Sequence, residues 1–339
     1  MGTAEIKCVL GIPSGIRLAR RRRLMSAPPI IAGNAAGIAL ALSALRQGAV
    51  IGMPTETVYG LAADASDPKA VALIYAIKAR PSFNPLISHV ASIEMARREG
   101  IMDQRAEALA EAFWPGPLTL VLPAAPGGRT CELARAGLPT LALRIPSHPI
   151  ALALLSQMDG PLAAPSANPS GRLSPTQAGD VASELGNKVE VVLDGGACRA
   201  GIESTIVSIL PGSAPALLRP GAIAREDIEA ILGPLEEPEA HAISAPGQLQ
   251  SHYAPRARLR LNATQAGPDE VLLGFGLGAP ATAENLSASG DLTEAAANLY
   301  RLLRALDASG AATIAVMEVP SSGLGEAIND RLQRAAAPR

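Results

Sequence analysis

Aromatic residues are scarce in this chain: one Trp, four Tyr and three Phe among 339 residues. A surface that recognises RNA bases by stacking wants several aromatic side chains, so that class of binding module is disfavoured. The core is left to Ala, Leu, Val and Ile. Cysteine is scarce as well. Cys8, Cys131 and Cys198 stand far apart with no CxxC pair. That spacing argues against structural zinc and a disulfide framework, and fits a reduced, cytoplasmic protein. The four histidines, His89, His148, His241 and His252, show no metal-ligand spacing. No apolar run approaches the roughly 20 residues that span a bilayer, so no membrane association is expected. Excess charge of one sign is missing too. Lys and Arg number 29 against 31 Asp and Glu, a net charge of −2, so any polyanion site must be a local basic cluster. GxxxxGK[ST], HExxH and GxSxG are all absent, and the chain announces no P-loop ATPase, zinc hydrolase or serine hydrolase.

What is present is an ordinary globular balance, 48% apolar and 18% charged, in a chain long enough for two domains. Residues 1–29 read as an extension. Arg20 to Arg23 form a basic run with no long apolar stretch after it, so a secretory signal is not expected. Met25 reads as the true start, with residues 1–24 a mis-called extension or disordered tail; an RNA-binding arm is the competing reading. Residues 30–232 alternate strand-like and helix-like stretches, residues 233–256 form a linker rich in Pro, Glu, Ala and Ser, and residues 257–339 form a smaller α/β unit. Helices are expected over Ala35 to Arg46, from Asp67-Pro68 to about Ala79, and near 104–112, 148–157 and 176–185. Asp67 is an N-cap type and Pro68 suits the first helical position. Strands are expected at 49–52, 86–90, 119–122, 141–145 and 189–193. Some lie too close together for a helix between them, so the sheet should be mixed. In the last segment, strands at 270–273 and 312–316 accompany helices at 292–306 and 326–334. Gly274-Phe275-Gly276-Leu277-Gly278 has the look of a phosphate loop but lacks the full dinucleotide fingerprint; an ordinary turn is the better reading.

Polar residues cluster where buried strands end. Pro54-Thr55-Glu56-Thr57-Val58-Tyr59-Gly60 follows one strand and suits a small polar ligand at a strand's C-terminal end, or a plain hydrogen-bonded turn. Lys78-Ala79-Arg80-Pro81-Ser82-Phe83-Asn84-Pro85-Leu86 sets two cations and an amide in a loop stiffened by prolines, a reasonable triphosphate clamp; its cations also complement a helix C-terminus. His89 lies in the next strand, where a lone histidine is more often a satisfied core residue. Arg144 sits in an otherwise apolar strand, where an unpaired guanidinium is costly. It needs an acidic partner or an anionic ligand such as a carboxylate. Pro165-Ser166-Ala167-Asn168-Pro169-Ser170-Gly171, Gly201-Ile202-Glu203-Ser204-Thr205-Ile206-Val207 and Arg219-Pro220-Gly221 repeat the theme of hydroxyls, backbone N–H groups and cations beside strands.

In order and spacing these segments resemble the YrdC-like family of threonylcarbamoyl-AMP synthases over roughly residues 33–232. The stretch from Ser244 to Pro255, with His252-Tyr253-Ala254-Pro255 at its end, is similar to the linker of the two-domain form. The resemblance implies a curved, mixed-sheet YrdC-like catalytic domain with a smaller Rossmann-like C-terminal domain. It implies an enzyme, a nucleotidyltransferase that makes threonylcarbamoyl-adenylate from L-threonine, bicarbonate and ATP with Mg2+, for modifying the adenosine beside the tRNA anticodon. Thr57, His89, Arg144, Ala164 and Ser204 are the implied threonine contacts. Arg80, Asn84, Thr140, Ser166, Ser174, Arg219 and Tyr253 are the implied ATP contacts. Lys78 and Arg80 are the implied catalytic cations, Lys78 facing the phosphates. No protein metal ligand is implied, Mg2+ being held mainly through the phosphates. Downstream transfer proteins acting on tRNA are the implied partners; direct tRNA binding stays open. Ala62 stands where the family commonly has glycine, and Pro169 stiffens a tolerated loop; neither touches the expected contacts. A hydrogenase-maturation type of carbamoyl transferase would bring zinc-finger CxxC pairs, which this chain lacks.

Overall fold

The computed structural model describes residues 27–237 and 252–338. The basic run Arg20–Arg23, Met25 and the linker from residue 238 to 251 lie outside the described residues.

The first unit is built on one mixed sheet of ten strands. In chain order the strands are β1 (Ile30–Ala32), β2 (Ile51–Met53), β3 (Gly60–Asp64), β4 (Ile87–His89), β5 (Leu118–Pro123), β6 (Thr140–Arg144), β7 (Leu162–Ala163), β8 (Val192–Asp194), β9 (Thr205–Ser208) and β10 (Ala216–Arg219). In space they run β1-β8-β2-β3-β7-β4-β6-β5-β9-β10. β4 lies parallel to β6 and β5 parallel to β9, while β2/β3, β3/β7 and β5/β6 are antiparallel. The mixed sheet expected from short strand spacings is therefore observed.

Local signals explain the helices. α1 (Ala35–Arg46) starts where the Asn34 side chain accepts the Gly37 N–H. α2 (Pro68–Lys78) starts at Asp67, whose carboxylate accepts the Lys69 N–H, and ends where Ala79 turns left-handed at φ 50°. α3 (Ile93–Glu99), α4 (Gln104–Phe113), α5 (Pro149–Leu155), α6 (Ala178–Leu185) and α7 (Arg225–Leu232) complete this unit. α3 and α7 are too short to show a clear apolar period and were not expected.

The second unit is a parallel four-stranded sheet in the order β11-β14-β12-β13, from β11 (Arg258–Arg260), β12 (Glu270–Gly274), β13 (Glu284–Asn285) and β14 (Thr313–Val316). Two helices, α8 (Leu292–Ala308) and α9 (Leu324–Ala336), accompany it. The glycine-rich stretch after β12 opens no helix. It forms a turn to β13, with the Asn285 amide donating to the Gly276 carbonyl. An ordinary turn is what forms.

The units share a core. One apolar cluster joins Val58, Leu173, Ile202 and Tyr253 to Leu299, Tyr300, Ile328 and Leu332 of the second unit. Gly201 explains how close they come. A Cβ there would lie 2.4 Å from the Ala297 Cα and 2.6 Å from the Ala296 carbonyl oxygen. With φ at 70° the position also favours glycine on conformational grounds. Arg225 pairs with Glu326 at 2.7 Å across the same interface.

Candidate active site

The C-terminal ends of parallel β4 and β6 place His89 and Arg144 side by side in register. The β2–β3 loop, the chain after β7, the start of β9 and the end of β10 close around them. The resulting cleft holds a cavity of about 40 Å³. Thr57, His89, Arg144, Ala164 and Ser204, the whole set expected to hold an amino acid, line it. Of the expected nucleotide contacts, Arg80, Ser166, Arg219 and Tyr253 line it too.

Four expected residues do not line the cleft. Lys78 is 2% exposed, and its ammonium donates to the carbonyls of Ser166 at 2.5 Å and Asn168 at 2.6 Å. Burial, helped by nearby Arg80, pushes its pKa well below the usual lysine range. It therefore acts as a strut under the Ser166 loop rather than facing the cleft, because a buried ammonium needs acceptors. Asn84 holds Arg80. The guanidinium donates to the Asn84 side chain at 2.5 Å, the Asn84 carbonyl at 3.0 Å and the Pro85 carbonyl at 2.8 Å. Burial lowers the Arg80 pKa to about 10, so the cation persists at neutral pH. Ser174 donates to Glu203 at 2.5 Å from behind the wall. Thr140 begins β6 opposite Pro123, four residues and roughly 13 Å of strand from Arg144.

Arg144 has the acidic partner that its apolar strand demanded. It donates to Glu56 at 2.7 Å, the Thr57 hydroxyl at 2.9 Å and the Gly116 carbonyl at 3.2 Å, and it still lines the cleft. These bonds leave a second hydrogen on each terminal nitrogen for an anionic ligand. Burial alone would raise the Glu56 carboxyl; the charge and hydrogen bond of Arg144 outweigh it, and the net shift is down. His89 is buried with its Nδ1 unpartnered. Burial, then the Arg144 charge, lowers its pKa to about 3, so it faces the cleft as a neutral imidazole with hydrogen-bonding capacity to spare.

The opposite wall is organised by Glu203, which sequence reasoning passed over. Its carboxylate receives Ser174, the Tyr300 hydroxyl at 2.9 Å and the Arg331 guanidinium at 2.8 Å. Burial works to raise its pKa, but Arg331, Arg219 and the Ser174 bond bring it down to about 2. Next to it, Ser204 accepts from Arg219 at the backbone carbonyl, 2.8 Å, and at the hydroxyl, 3.1 Å. Gly221 permits this approach, since a Cβ there would lie 2.3 Å from the Thr205 nitrogen. A carboxylate entering a buried strand signals the need for partners. Those partners are 97 and 128 residues away in sequence, beyond any motif. His252, another overlooked lining residue, packs edge-on to Tyr253 with ring centroids 4.1 Å apart.

Comparison with known proteins gives the family. Residues 43–221 match the Sua5/YciO/YrdC family model, described as "Telomere recombination". Residues 223–337 match the "Threonylcarbamoyl-AMP synthase, C-terminal domain" model. A threonylcarbamoyl-AMP synthase of Bacillus subtilis (strain 168) is 40% identical over 328 residues, 89% of this chain and 93% of the relative. The chain belongs to the threonylcarbamoyl-AMP synthase family. A family member from Pyrococcus abyssi is 38% identical over 326 residues, 89% of this chain and 94% of that protein. A crystal structure of P. abyssi Sua5 complexed with L-threonine superposes with a TM-score of 0.79 at 36% identity, covering 88% of this chain and 94% of that one. The two-unit architecture is thus that of the long family members.

Proposed function

We propose that this chain makes threonylcarbamoyl-adenylate from L-threonine, bicarbonate and ATP, releasing pyrophosphate, to supply tRNA modification. One observation carries the reading. Thr57, His89, Arg144, Ala164 and Ser204, drawn from separate segments, converge on the cleft that also holds Arg80, Ser166, Arg219 and Tyr253. In this reading Arg144 takes the threonine carboxylate, and neutral His89 and the Thr57 and Ser204 hydroxyls orient the rest of the amino acid. Arg80 and Arg219 face the phosphates, with Asn84 and Lys78 acting through Arg80 and the Ser166 loop.

The threonine amine attacks the bicarbonate carbon, and loss of water gives a carbamate. A carbamate oxygen attacks the α-phosphorus of ATP, the bond to the β-phosphate oxygen breaks, and pyrophosphate leaves. No enzyme nucleophile is needed. Catalysis comes from positioning and from offsetting charge on the phosphoryl oxygens, and exclusion of water protects the labile carbamate. Magnesium fits as a companion of the nucleotide. The carboxylate lining the cleft is Glu203, already occupied by Ser174, Tyr300 and Arg331, and among the described residues no cluster of His, Cys, Asp or Glu could cage a metal. Mg2+ would neutralise charge on the phosphates. Among the described residues no helix is long and apolar enough to cross a membrane. The free thiols Cys131 and Cys198 support a reducing, cytoplasmic setting.

Pyrophosphate release measured with purified protein should require ATP, threonine and bicarbonate together. Release that ignores threonine would overturn the reading.

A further inference from the structure

The second unit does more than lean on the first. Its helix α9 sends Arg331, 1% exposed, across the interface into the back of the cleft wall. Besides an ion pair with its neighbour Asp330 at 2.5 Å, the guanidinium makes three contacts there. Nε donates to Glu203 at 2.8 Å, Nη2 donates to the Pro220 carbonyl at 2.9 Å, and the group stacks 4.9 Å from the centre of the Tyr253 ring. Glu203 immediately precedes Ser204, Pro220 immediately follows Arg219, and Ser204, Arg219 and Tyr253 all line the cleft. One side chain from the second unit therefore ties together three cleft-lining segments that are remote in sequence. Tyr300 of α8 supports the same carboxylate.

We propose that Arg331 is a positioning residue for the reaction: held by Glu203, Pro220 and Tyr253, it sets the spacing of Ser204, Arg219 and Tyr253 around the substrates. It touches no substrate. Its effect is to keep the hydroxyl, the cation and the aromatic ring preorganised, so that substrate binding does not have to order them. A buried ion pair that served stability alone would leave the substrate-binding parameters untouched. The inference rests on the adenylation reading above.

The test compares full-length Arg331→Met, Arg331→Lys and Arg225→Met with wild type. Arg225→Met removes ion pairs with Glu326 of the second unit and with Glu237; none of the three lines the cleft, and the variant serves as the structural control. Melting temperature, KM and kcat from pyrophosphate release, and calorimetric affinity for threonine and a non-hydrolysable ATP analogue are measured below each variant's melting transition. Arg331→Met should raise the KM for ATP and weaken the analogue roughly tenfold or more, the scale of a lost charge-assisted hydrogen bond. Arg331→Lys should recover part of the loss by restoring the charge opposite Glu203. Arg225→Met should move the melting temperature alone. Wild-type KM, kcat and analogue affinity in folded Arg331→Met would overturn the proposal, as would losses matched by Arg225→Met. If Arg331→Met does not fold, Tyr300→Phe, which deletes the hydroxyl on Glu203 and keeps the ring, should shift KM in the same direction; unchanged parameters there would also overturn it. If wild type binds both ligands yet releases no pyrophosphate, the adenylation reading fails while the binding measurements still decide the role of Arg331.

Discussion

At the residue scale the cleft is a set of ionisable groups held away from their ordinary states. Arg144 is paired with one of them, the buried Glu56 carboxylate, at 2.7 Å. Truncating it to Ala strands the buried Glu56 carboxylate, a loss of about 3–5 kcal/mol in stability, so affinity is the better readout. Arg144→Ala, or the gentler Arg144→Lys, should weaken threonine roughly tenfold or more while leaving an ATP analogue within about twofold. Equal losses in a calorimetric comparison would make Arg144 purely structural. The buried titrating groups set a second expectation. Burial depresses His89 and His252 to about 3 from 6.5. The unfolded chain then binds more protons than the native one between those values, so stability drops as pH falls below about 6.5. Glu203, lowered to about 2 from 4.5, contributes stability that is intact above about 4.5 and disappears as pH falls through about 2. Denaturation followed from neutral to acid pH should therefore weaken in two stages, each group contributing at most about 1.4 kcal/mol per pH unit. His89→Asn should flatten the upper stage and Glu203→Gln the lower one.

Elements aim these residues. α2 is a lever whose N-terminal end is set by Asp67 and whose C-terminal end delivers Lys78 and the Arg80 loop. Asp67→Ala removes a cap and should cost about 1 kcal/mol of stability, leaving KM unchanged, since the far end is pinned by Lys78 and Asn84. Lys78→Met keeps the helix but removes the strut under Ser166, and should raise the KM for ATP. Steady-state kinetics beside thermal melts separates the two; matching effects would refute the division of labour. The α2 start was legible from Asp67-Pro68 alone, because capping and proline preference act within one turn. The role of Lys78 was not. A cation near a helix end reads equally as a ligand contact, a dipole partner or a buried strut until the opposing carbonyls are known.

For the whole molecule, the interface between the two units is what completes the cleft. At Gly201 there is no room for a Cβ, which would lie 2.4 Å from the Ala297 Cα. Gly201→Val would drive a side chain into the α8 backbone at a positive-φ position that β-branched residues resist. The expected result is a loss of at least about 2 kcal/mol, with faster proteolysis between the units and weaker ATP binding in the same variant. Wild-type proteolysis and binding would show that the interface tolerates separation.

Taken alone, the sequence determined what short-range physics controls. Asp67 and Pro68 start a helix, apolar runs mark several of the strands, and the ordered loops at strand ends carry the family pattern with most of the cleft residues. The tertiary structure decided everything that depends on partners brought together from afar. Arg144 meets both Glu56 and the cleft, and Lys78 turns to the Ser166 and Asn168 carbonyls. Glu203 acquires Tyr300 and Arg331 from the other unit. The physical reason is that a buried charge is defined by what satisfies it, and those partners are chosen by packing across the fold rather than by neighbours along the chain.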